Sequence, residues 1–125
     1  MDPKQTVESL WDDMHHRRWE NLRRYFAEDA VIDWHDTGER FSVDDFVNVN
    51  GEYPGQWAIT VEKLHAAGDT VVSAVKVTDG ESTFFAASFF TFAADKIVHL
   101  DEYWSEASSP PRWRLDRKWG TRIPG

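Results

Sequence analysis

Cysteine is absent from all 125 residues, which removes disulfides, thiolate nucleophiles and cysteine metal sites together and fits a reducing compartment. Long apolar runs are missing too. No stretch approaches the length needed to span a bilayer, and the opening MDPKQTVESLW has neither the basic start nor the apolar segment of a secretory signal. The expectation is a soluble cytoplasmic protein with no membrane partner. There is no glycine-rich phosphate loop and no nucleophile elbow. The five histidines stand in no H-x-x-x-H or H-x-H spacing, so no metal site and no cofactor are expected. Positive charge is scarce: 14 basic against 22 acidic residues leave a formal charge of −8, which repels nucleic acid and anionic membranes.

What remains is one domain's worth of chain, rich in large rings, with seven Trp and eight Phe. Its charge is unevenly placed. Residues 107–125 carry a formal +4 in SSPPRWRLDRKWGTRIPG and its approach, while the body, residues 1–106, carries −12. A basic tail that opens on a Pro–Pro break and holds Trp113 and Trp119 is expected to pack on the acidic body or on a partner subunit.

Apolar spacing divides the body into helices followed by hairpins. Val7, Leu10, Trp11 and Met14 recur at helical intervals, with Pro3 at the start and Asp2 or Thr6 as caps. Trp19, Leu22, Tyr25 and Phe26 repeat the pattern and predict a second helix. AVIDW then predicts a short strand and HDTGERF a turn. Ser42 caps a third helix that ends at Gly51. From Gln56 onward, QWAITVEKLHA, TVVSAVKVT, STFFAASFFTF and KIVHLDEYW are separated by turn residues and predict a four-stranded antiparallel meander. This order predicts an α+β fold, helices laid across one face of the sheet.

Alternation within the strands assigns faces. In STFFAASFFTF, Phe84, Ala86, Ser88, Phe90 and Phe92 share one side, and Phe85, Ala87 and Phe89 the other. Helices cover one face only, so the second apolar face predicts a homodimer through the outer side of the sheet. In KIVHLDEYWSE, Val98, Leu100, Glu102 and Trp104 share a side, opposite His99, Asp101 and Tyr103. Glu102 is thus a carboxylate between a leucine and a tryptophan.

RRWENLRRYFAEDAVIDWHD, NGEYPGQW, KIVHLDEYWSE and PPRWR resemble the nuclear transport factor 2-like superfamily, whose members include SnoaL-like polyketide cyclases and ketosteroid isomerases, and are most similar to its uncharacterised small bacterial members. The resemblance implies a cone-shaped, cystatin-like fold, three N-terminal helices against a curved antiparallel sheet, with a pocket at the open end. It puts Trp34, Leu10 and Ser88 where ketosteroid isomerases carry their base, tyrosine and protonated aspartate, so that reaction is not expected. It also turns Leu100, Glu102 and Trp104 toward the pocket. The implied lining is Leu10, Met14, Trp34, Trp57, Ser88, Phe90, Leu100 and Trp104, with Glu102 as acid or base and His35 at the pocket mouth.

Each residue also has a structural reading. Glu102 could instead pair with Arg114 as a buried strut, and His35 could be a solvated turn residue. Three functions stay open: a cofactor-independent lyase, isomerase or hydrolase acting on a hydrophobic small molecule, a non-catalytic binder of such a molecule, or a dimerisation module with a filled cone. A hollow holding Glu102 and a second polar group would favour the first, and a hollow with no second polar group the second.

Overall fold

The computed structural model describes residues 1–124. Helix α1 (Pro3–His15) starts on a reciprocal cap in which the Asp2 carboxylate accepts from the Gln5 N–H and the Gln5 side chain accepts from the Asp2 N–H. Val7, Leu10, Trp11 and Met14 form its buried stripe. The second helix is shorter than expected: only Trp19–Tyr25 is helical, as a 3₁₀ turn. The chain becomes extended at Phe26, because β1 (Phe26–Trp34) pairs with the last strand at Phe26 and again from Val31, with residues 27–30 forming an irregular bulge between. Pairing at Phe26 and Val31, on either side of this bulge, holds the chain extended despite the helix-forming tendency of Ala27 and Glu28.

HDTGERF is more than a turn. Its second half is β2 (Glu39–Ser42), which pairs antiparallel with β1. Ser42 then caps α2 (Val43–Glu52), its hydroxyl accepting from the Asp45 N–H. The meander follows as β3 (Ala58–Ala67), β4 (Thr70–Thr78), β5 (Thr83–Ala93) and β6 (Lys96–Glu106). The sheet order is β2-β1-β6-β5-β4-β3, with β1 and β6 parallel and every other pair antiparallel. The sheet is therefore mixed and six-stranded rather than a purely antiparallel meander, and it curves beneath the helices without closing. This is the α+β, cystatin-like architecture.

Alternation holds along β5: Ala86, Ser88, Phe90 and Phe92 are buried, while Phe85 and Phe89 are each 40% exposed on the outer face. Along β6 it holds from Leu100 onward. Before that, a bulge between the Thr91 and Phe92 pairings puts Ile97, not Val98, into the core.

Ala107 closes the last ladder through a 2.8 Å bond from its N–H to the Thr83 carbonyl. Beyond it the tail includes a short helix, α3 (Arg112–Asp116), and residues 111–124 are exposed throughout. Arg114 lies 5.6 Å over the Trp113 ring and makes no ion pair with Glu102. Among the described residues, no helix is long and apolar enough to cross a membrane.

Candidate functional site

Register explains the surroundings of Glu102. Its cross-strand neighbours are Trp34 on the parallel strand β1 and Ser88 on the antiparallel strand β5. These two donate to it, the indole Nε1–H of Trp34 to Oε1 at 3.0 Å and the hydroxyl of Ser88 to Oε2 at 2.9 Å. Glu102 is 1% exposed. Burial pushes its carboxyl up to about 7, against the pull of the Ser88 and Trp34 bonds, and the negative charge of Asp36 adds to the rise. The indole N–H of Trp104 is buried without a well-formed hydrogen bond, yet lies near enough to add a weaker pull toward the ionised form. Thus a desolvated carboxyl is surrounded by donors suited to its charged state and has its proton near the midpoint at neutral pH.

Beside this group a cavity of about 400 Å³ opens between the helices and the sheet. Met14, Trp34, Trp57 and Trp104 line it as expected. Leu10, Ser88, Phe90 and Leu100 do not: each is 0% exposed and packed in the core, because helix and sheet are in direct contact at that depth. Glu102 sits in the same buried layer and is absent from the lining, with Trp34 and Trp104 forming the nearby wall. Sequence reasoning missed Trp11, Trp19 and Tyr53 as cavity walls. Trp11 was legible as an apolar-face residue of α1, but Tyr53 comes in through the NGEYPGQW loop, whose course no periodicity predicts.

The loop is shaped by backbone geometry. Gly55 has φ +105, and a Cβ there would come within 2.9 Å of Trp57 Nε1. Trp57 is fixed by donating to the Pro54 carbonyl at 2.8 Å. A second, larger hollow of about 770 Å³ runs between α1 and β3, lined by Lys4, Glu8, Asp12, Glu62 and Lys63 among others. It is open, charged groove surface that shares Trp11 and Ile59 with the smaller cavity but lacks Trp34 and Trp104, the rings beside the buried carboxyl, so the smaller cavity is the candidate site.

His35 is not at the cavity mouth. It follows β1 onto the outer face, stacks on Tyr103 with ring centroids 4.4 Å apart, and contacts Asp101 at 2.8 Å through Nε2. Residues Asp36 and Thr37 line the cavity instead. His99 also lies on the outer face, as alternation predicted, 2.9 Å from Asp33 and 3.3 Å from Asp101. Parallel pairing of β1 and β6 gathers Asp33, His99 and Asp101, with one ligand atom from each within 4.8 Å of the others, although no sequence spacing announced a metal-ligating group. Arg40 forks onto Asp33 at 2.7 and 2.9 Å and holds its carboxyl well below the usual range. The cluster is thus a chain of charge-assisted contacts across β2, β1 and β6.

A third polar group lies behind α1. Asp13, 4% exposed, accepts from Tyr25, Arg18 and Asn21. Burial alone would raise its pKa, but these bonds outweigh burial and lower it. This network joins α1 to the 3₁₀ turn. His15 joins α1 to β3, its Nδ1 accepting from the Ile59 N–H at 2.9 Å, which requires that nitrogen to be unprotonated.

The family model described as a SnoaL-like domain matches residues 7–100. The chain belongs to the SnoaL-like domain family. Among solved structures, this SnoaL-like chain is similar to a candidate ketosteroid isomerase from Kribbella flavida DSM 17836, with 27% identity, TM-score 0.85, and 98% of this chain and 90% of that chain covered. An NTF-2 like protein of unknown function from Burkholderia xenovorans LB400 shares the fold at 20% identity and TM-score 0.80, over 96% of this chain and 94% of that one. So does a hypothetical protein with a ketosteroid isomerase-like protein fold from Catenulispora acidiphila DSM 44928, in complex with trimethylamine, at 16% identity and TM-score 0.70, over 84% of this chain and 88% of that one. No curated protein matches the chain.

Proposed function

We propose that this SnoaL-like chain binds a hydrophobic small molecule in the aromatic cavity without a cofactor, and that Glu102 gains or loses its proton in response. The observation that carries the reading is the hollow of about 400 Å³ walled by Trp34 and Trp104 beside a buried carboxyl with a pKa of about 7. Such a volume suits a small organic ligand. The negative charge of Asp36 already influences Glu102, so a ligand that alters charge or water content at the mouth would alter its protonation. A carboxyl-resolved NMR titration, with and without a panel of apolar ligands, tests this. A Glu102 pKa that shifts with ligand supports it; an unchanged pKa and unperturbed indole signals across the panel would sink it.

One observation favours a second reading, a cofactor-independent acid/base enzyme of lyase, isomerase or hydrolase type. A carboxyl poised near neutrality is the group such catalysis uses. Because Glu102 does not line the cavity, contact with a substrate would require the Trp34 or Trp104 ring to turn aside. Exchange of a bound ligand's C–H for deuterium, present with the natural protein and lost in Glu102→Gln, would favour catalysis over binding.

A further inference from the structure

Five of the seven tryptophans, Trp11, Trp19, Trp34, Trp57 and Trp104, face one cavity. Such a concentration exceeds what an apolar wall needs, since leucine and phenylalanine exclude water equally well. What indoles add is a negative π face, and three of the five N–H groups here are already engaged. Trp11 donates to Ser73 at 3.0 Å, Trp34 to Glu102, and Trp57 to the Pro54 carbonyl. These three rings therefore offer the cavity carbon and π surface rather than donors. Tyr53 and Phe84 continue the wall, edge to face with Trp57 at centroid distances of 6.0 and 5.6 Å.

We propose that the cavity selects an ammonium-type cation, an alkylated amine whose charged head lies against the indole faces. This rests on the reading of the cavity as a ligand site and names the ligand's chemical class. Aromatic boxes hold such cations because ring quadrupoles attract a charge too weakly hydrated to prefer water. The acidic body, formally −12 without the tail, draws cations toward the mouth, and Asp36 supplies a carboxylate there. Arg17 also lines the cavity and opposes a cation. It is solvent-exposed on the turn after α1, where water and salt screen it. Binding of a cation would favour ionised Glu102 and release a proton, the reverse of the effect of Asp36.

The test is a calorimetric and NMR titration of the full chain with choline and with its uncharged carbon isostere, in which a tert-butyl group replaces the trimethylammonium head. Choline is expected to bind at least about tenfold more tightly, with proton release near pH 7 that disappears in Glu102→Gln. Trp57→Leu should abolish the preference. Asp36→Asn, an exposed change that leaves the fold intact, should weaken choline alone, and Arg17→Gln should strengthen it. Equal or tighter binding of the isostere would overturn the cation inference while leaving the pocket reading in place. If neither probe perturbs an indole signal, both fall.

Discussion

Glu102 and Asp13 are buried carboxyl groups whose titrations run in opposite directions. For Glu102, burial raises the pKa from 4.5 to about 7. The folded state then holds more protons than the unfolded chain between those values, and stability falls as pH rises through that window, by on the order of 3 kcal/mol in total. Glu102→Gln removes this dependence. Thermal melts should therefore show the variant gaining on the natural protein from pH 5 to pH 8, and a constant difference would refute the assignment. For Asp13, the folded pKa lies below the ordinary 3.8, so its contribution is full above that value and is lost as acid protonates it. Tyr25→Phe deletes one of its donors and should cost about 1–2 kcal/mol in urea unfolding near neutral pH. The inward side of Glu102 could be read from the alternation of Leu100, Glu102 and Trp104, and that of Ser88 from its neighbours Ala86 and Phe90. Asp13 was less legible, since helical spacing puts it at the flank of the Val7, Leu10, Trp11 and Met14 stripe of α1 rather than within it. The Trp34 bond was not legible, since it exists only through a parallel register that no local pattern encodes.

At the level of elements, sequence signals succeeded where one strand or helix decided its own boundaries. Asp2 and Ser42 start their helices by local side-chain bonds, and the turns at Gly68 and Gly80 follow from positive φ. They failed where a partner decides. Phe26 joins a strand because Ile97 of β6 lies beside it, which carries residues 27–30 across as a bulge to the next pairing at Val31, and Glu39 to Ser42 join one because β1 lies beside them. The same dependence misplaced His35, which Tyr103 and Asp101 hold on the outer face. The loop carrying Trp57 is the most sensitive element of the cavity wall. Gly55→Ala would meet both an unfavourable φ and the Trp57 indole. It should cost about 1–3 kcal/mol and weaken ligand binding, seen as a shifted Trp57 indole resonance; a variant with wild-type stability and indole shift would contradict this geometry.

For the whole molecule, two apolar surfaces stand uncovered: Phe85, Phe89 and Tyr103 on the outer sheet face, and Trp113, Leu115 and Trp119 on the basic tail. The expected homodimer is proposed to use both, the tail of one copy lying on the acidic body of the other. Sedimentation should give a dimer that loosens with salt, with Phe89→Glu, and with truncation at Ser108, while truncation leaves the melting of the isolated monomer unchanged. A monomer at all concentrations would end this proposal. The parallel pairing of β1 and β6 carries a different consequence, for the order in which the chain can fold. Phe26 pairs with Ile97, so the sheet cannot be joined through its middle until the last strand has been made. A chain still on the ribosome before Lys96 emerges holds two unjoined pieces, β1 with β2 and the β3–β5 meander. Trp34 and Ser88 come within reach of one carboxylate only when β6 slides between them.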